Sequence, residues 1–99
     1  MSIYNKIIAT LNGAFQVTEL RLENESSMHN VPADSETHFK LIIVSKDFNG
    51  LSKVDRHKNI YSSLNEIMRN IHALSIQAFT IEEYEKNPSI LISPDCSNK

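Results

Sequence analysis

Four histidines stand in a chain of 99 residues: His29, His38, His57 and His72. Imidazole is the commonest protein metal ligand, and the one side chain whose unperturbed pKa lies near physiological pH. His29 falls in a turn-rich stretch, His38 opens a strand-like run and His72 immediately precedes another. If those two strands are parallel neighbours, His38 and His72 share one edge of the sheet, and the stretch carrying His29 feeds the same edge. Three imidazoles converging there would be a candidate metal-ligating cluster. Taken singly, a histidine at a strand start is more often a hydrogen-bonded surface residue than a ligand, and no local spacing such as HExxH marks a zinc site. His57 reads differently. It precedes Ile60 and Leu64 on the apolar stripe of a long helix, where a histidine anchored by a hydrogen bond is the commoner outcome.

Other reactive groups are sparse. The single cysteine, Cys96, has no neighbouring His or Lys to lower its pKa, so nothing marks it as an activated thiolate. One cysteine makes no internal disulfide, zinc knuckle or self-sufficient iron–sulfur site. No serine stands in a GxSxG turn. The acidic pairs Glu23/Glu25 and Glu82/Glu83 suit a solvated strand face and a helix N-terminus. Gly13 and Gly50, the only glycines, are too few for a phosphate-cradling loop. No enzyme is expected from these residues. Lys53, Arg56 and Lys58, with Lys46 and Arg69, give a basic stretch that would suit phosphates, although a solvated helix face is the commoner meaning.

The elements that must position these groups follow from periodicity. Residues 2 to 12 carry Ile3, Ile7, Ile8 and Leu11 at helical spacing, with Ser2 to cap the start and Gly13 to end it. Residues 16 to 25 switch to period two, placing Thr18, Leu20 and Leu22 on one face. A long turn-rich connection over 26–37 leads to a second strand over 38–46, apolar on both faces in 41–44 and hence central. A long helix is expected over 52–70, a third strand over 73–80, and a short acidic helix capped by Thr80 through about residue 86. The expected fold is α+β, αββαβα, with helices on a three-stranded mixed sheet. Its first two strands are antiparallel and its last two parallel through a right-handed crossover.

Composition agrees with one small domain: 40% hydrophobic residues, 22% charged and a net charge of −2. That balance argues against a strongly basic nucleic-acid binder. A domain over 1–87 and a loose tail over 88–99 are expected. The N-terminus does not resemble a signal peptide, and the longest apolar run is too short to cross a membrane, so a reducing cytoplasm is the simplest compartment.

Several motifs, in order, resemble the BolA family: Glu25-Ser26-Ser27-Met28-His29-Asn30-Val31-Pro32, Ser35-Glu36-Thr37-His38-Phe39-Lys40, Val44-Ser45, Phe48-x-Gly50, Arg56-His57, Tyr61, Ile71-His72-Ala73-Leu74 and Thr80-Ile81-Glu82-Glu83-Tyr84. The tail Ser93-Pro94-x-Cys96 resembles that of bacterial members. The resemblance covers about residues 3 to 86. It implies a fold similar to a class II KH domain, and an adaptor that pairs with a monothiol glutaredoxin and shares a [2Fe–2S] cluster with it, glutathione supplying one thiolate. It further implies a ligand role for His72 and a second ligand from the connection before strand two, where His29 matches best and His38 is the alternative. The implied setting is iron–sulfur trafficking or iron and stress regulation, with a monomer or weak homodimer when alone. Family members are also described as regulators of transcription and morphology. A DNA-binding role through Lys53, Arg56 and Lys58 is therefore the competing expectation, although the GxxG clamp of KH domains is missing from the chain.

Overall fold

A computed structural model of the chain describes residues 2–26 and 36–88. Helix α1 (Ile3–Ala14) begins with Ser2 accepting the Asn5 N–H, as a serine cap should. It runs through Gly13 rather than ending there. The helix stops where Phe15 turns extended, and the Phe15 ring packs against Phe48 with centroids 5.4 Å apart. The half-buried Phe15 ring, packed against the core, stands at this boundary, not glycine.

Strand β1 (Val17–Asn24) pairs antiparallel with β2 (His38–Ser45), and β2 pairs parallel with β3 (Ala73–Phe79), so β2 is central. The expected inward set of β1 is corrected at its start. A bulge lies between Val17 and Glu19 and leaves Thr18 exposed, while Leu20 is half-buried and Leu22 buried. Residues 41 to 44 of β2 are all buried, as a central strand requires.

A 3₁₀ turn (Lys46–Phe48) and Gly50, with φ of 79°, reverse the chain into helix α2 (Lys53–Ser63). Only glycine takes that φ without strain. The single long helix expected over 52–70 is instead broken at Leu64 (φ −101°, ψ 14°), and a one-turn helix α3 (Asn65–Met68) follows. The Ser63 hydroxyl donates to the Ile60 carbonyl at 2.8 Å. The same carbonyl receives the Leu64 N–H, whose bond is shared with Tyr61. Such competition for a helical carbonyl bends helices. Leu64 still points inward, at 1% exposure, so the apolar stripe survives the break.

The core joins Ile7 and Leu11 of α1, Phe39, Leu41 and Ile43 of β2, Phe48, Ile60 and Leu64, and Leu74, Ile76 and Ala78 of β3. Helix α4 (Ile81–Lys86) closes the described domain with a full capping box between Thr80 and Glu83. Residues 89–99, which include Cys96 and most of the expected tail, lie outside the described residues. No helix among the described residues is long and apolar enough to cross a membrane.

Candidate functional site

Parallel pairing of β2 with β3 sets His38 opposite Ala73, so His72 falls beside Thr37 at the same sheet edge. The backbone there is firmly tied. The Thr37 carbonyl accepts the His72 N–H at 2.8 Å and the Ala73 N–H at 3.1 Å, and the His38 carbonyl accepts the Glu25 N–H at 2.7 Å. The His38 and His72 rings lie with centroids 5.0 Å apart and planes inclined at 37°. His38 is half-buried, with Nδ1 2.9 Å from the Thr37 hydroxyl. His72 is exposed.

Three residues without an obvious chemical signature in the sequence support this edge. Ser26, 1% exposed, places its Oγ within hydrogen-bond distance of the Thr37 and His38 N–H groups. Thr37 bonds to His38 Nδ1 and presents its carbonyl to His72. Glu36 accepts the N–H groups of Ile3 and Tyr4 on its two carboxylate oxygens at 3.0 and 3.1 Å. Helix α1 has no acid in its own first turn, so Glu36 supplies the negative charge that a helix N-terminus favours.

Of the three histidines expected to converge, the structure brings together His38 and His72. His29 lies outside the described residues. His57 is half-buried on α2, and with Lys53 it borders a groove of about 200 Å³ against residues 76 to 79. Among the described residues, no group of three or more His, Cys, Asp or Glu side chains could hold a metal ion. The edge therefore offers two imidazoles as a donor pair. Imidazole nitrogen donors suit iron, zinc and copper.

The basic patch requires a correction. Lys53 and Lys58 are exposed on α2, but Arg56 is only 6% exposed. Its Nε donates to the Leu51 carbonyl at 3.1 Å. Nη1 donates to the Ala78 carbonyl at 3.0 Å and to Glu83 at 2.8 Å, and Nη2 donates to Glu83 at 3.3 Å. A guanidinium committed in this way is an internal clamp between α2, β3 and α4, not a phosphate contact. Its hydrogen bonds, followed by that from the Thr80 backbone, hold the Glu83 carboxyl below its ordinary range. The Thr-x-x-Glu spacing of 80–83 signalled the capping box, but nothing local signalled that Arg56, 27 residues away, would meet the same carboxylate.

Comparisons with known proteins point one way. The family model described as BolA-like protein matches residues 11–83. The chain is 42% identical over 98 residues to the DNA-binding transcriptional regulator BolA of Escherichia coli (strain K12), covering 97% of this chain and 93% of that protein. It is 44% identical over 91 residues to BolA-like protein 1 of Mus musculus, covering 91% of this chain and 66% of that protein. Its fold is similar to the solution structure of BolA1 from Mus musculus, with a TM-score of 0.83 and 41% identity over 97% of this chain and 79% of that one. The BolA domain of SufE1 from Arabidopsis thaliana gives a TM-score of 0.77 at 40% identity, covering 84% of this chain and 96% of that domain.

Proposed function

Because the chain belongs to the BolA-like protein family, we propose that it is an iron–sulfur adaptor contributing half a ligand set to a [2Fe–2S] cluster shared with a monothiol glutaredoxin in the cytoplasm. The observation that carries this reading is the pair of imidazoles, His38 and His72, held 5.0 Å apart at one sheet edge. His72 would supply one nitrogen ligand and His38, or His29 from the connection before β2, the second, and the thiolates would come from glutaredoxin and glutathione. A cluster ligated in this mixed way carries a higher potential than one held by thiolates alone. This chain's part is to present two imidazoles on a fixed backbone. Histidine ligands must be unprotonated, so acid should release the shared cluster.

The experiment is to mix the protein with cluster-loaded monothiol glutaredoxin and record visible absorption and circular dichroism. A new spectrum is expected with the unmodified chain and its loss with His72→Ala. An unchanged spectrum, or the same change in both proteins, rules the reading out.

A second reading is favoured by the bacterial relatives, which are named DNA-binding transcriptional regulators. Here Lys53 and Lys58 would make phosphate contacts from the exposed side of α2, without Arg56. Fluorescence anisotropy with duplex DNA across salt concentrations tests it. Each lysine replaced by Gln should lower the salt slope by about one. A salt-independent signal removes phosphate-led binding.

A further inference from the structure

Two buried serines stand at opposite ends of β2. Ser45, 0% exposed, donates its hydroxyl to the Gln16 carbonyl at 2.9 Å and accepts the Asp47 N–H at 3.0 Å. It joins two loops and touches no candidate ligand. Ser26 is placed differently. Its own N–H is held by the Asn24 side-chain oxygen at 3.0 Å. Its Oγ accepts the Thr37 N–H at 2.8 Å and the His38 N–H at 3.1 Å, and lies 3.4 Å from the Thr37 hydroxyl. Thr37 in turn presents its carbonyl to His72 and Ala73 and its hydroxyl to His38 Nδ1. One buried oxygen thus controls the backbone of His38 directly. It controls the backbone of His72 through one intervening residue.

We propose that Ser26 is a positioning residue for the histidine edge, its Oγ setting the approach of the His38 and His72 rings. A hydroxyl is suited to this task because it is uncharged, small enough for a closed site and able to accept two N–H groups at once. Alanine would leave both half-buried amides without their acceptor, the costly half of a broken hydrogen bond. The purpose of the edge rests on the shared-cluster reading, whereas the positioning itself rests only on the geometry.

The test compares Ser26→Ala, Ser26→Thr, Asn24→Ala and Ser45→Ala with the unmodified chain. Each isotope-labelled full-length protein is studied first alone by NMR, then with cluster-loaded monothiol glutaredoxin by absorption and circular dichroism. In Ser26→Ala, hydrogen-exchange protection of the Thr37 and His38 amides should fall about tenfold, the scale of one ordinary hydrogen bond. The ring-to-ring contact of His38 with His72 should weaken, and the spectral change with glutaredoxin should shrink. Ser26→Thr keeps the oxygen and should retain all three signals. Ser45→Ala should lose stability while leaving the ring contact and spectrum intact.

Asn24 is exposed, so Asn24→Ala loosens Ser26 without emptying the interior and gives the same result at smaller amplitude if Ser26→Ala does not fold. The proposal is overturned if the ring contact is unchanged in Ser26→Ala, or in Asn24→Ala where the former is unfolded. It is also overturned if Ser45→Ala weakens the ring contact equally. A glutaredoxin spectrum missing from the unmodified chain defeats the shared-cluster reading alone, because the NMR arm still decides what Ser26 does.

Discussion

The two ends of β2 are fastened by similar joints and leave opposite things at the surface. Each has a buried serine tying the strand to a neighbouring segment, Ser26 at one end and Ser45 at the other. Beyond Ser45, the strongest polar groups are consumed internally: Arg56 bonds to Leu51, Ala78 and both carboxylate oxygens of Glu83. Beyond Ser26, the main-chain amides are held by the Ser26 hydroxyl, the Thr37 carbonyl and the Glu36 carboxylate, and the His38 and His72 rings come together at the edge. Where a buried guanidinium and its carboxylate complete the fold, little chemistry remains for a partner. Where main-chain amides are tied to a small hydroxyl and a carbonyl, an exposed ring such as His72 stays at the surface.

Removing Arg56 should break the comparison most visibly. Arg56→Ala empties a buried position and strips the Leu51 and Ala78 carbonyls of a donor. It also undocks the first turn of α4, although Glu83, at 41% side-chain exposure, can turn to water. A loss of about 2 kcal/mol is expected in urea unfolding, within the range for a broken buried network. The His38–His72 ring contact should persist in NMR spectra of the folded variant. If the histidine signals shift as strongly as those of α4, the two ends are not independent.

Glu83 gives a smaller effect with a pH signature. Its carboxyl is held below the ordinary range by Arg56 and the Thr80 backbone. A carboxyl lowered on folding contributes stability that is complete above its unfolded pKa and is lost as pH falls through the folded value. Glu83→Gln should therefore cost more at pH 7 than at pH 3, where the unmodified chain has itself lost part of the contribution. Partial exposure keeps the difference below that of Arg56→Ala. Equal costs at both pH values would show that the pair contributes through packing and not through charge.

Periodicity and caps located most of the architecture. The Ser2 and Thr80 caps, the alternation of β3 and the doubly apolar run over 41–44 each report a local requirement, and the structure meets each at the same residues. The connection of His38 with His72 was legible because it follows from topology: parallel strands joined by helices start at the same edge. What escaped was long-range or competitive. Arg56 looks like a solvated helix cation until Glu83 arrives from another element. Ser63 gives no warning that its hydroxyl will share the Ile60 carbonyl with the Leu64 N–H where the helix breaks. Ser26 lies in a polar, turn-rich stretch, and its burial depends on the return of Thr37 and His38, 11 and 12 residues later.

The smallest expected loss of stability belongs to His72→Ala, and that smallness gives the prediction its force. The His72 ring is exposed, it meets the His38 ring among the described residues, and its backbone N–H bond to Thr37 survives truncation. Surface changes of this kind usually stay within about 0.5 kcal/mol. His38→Ala should cost more, because that ring is half-buried and bonded to Thr37. If the edge exists for ligation, the less costly substitution should nonetheless abolish the spectral change with loaded glutaredoxin, while Arg56→Ala, the costlier one, should spare it in protein that remains folded. Functional loss would then run opposite to stability loss across the two ends of β2. A parallel ordering, in which each variant loses the spectrum only in proportion to its loss of stability, would return the histidines to the role of ordinary surface residues and place the partner's contacts elsewhere.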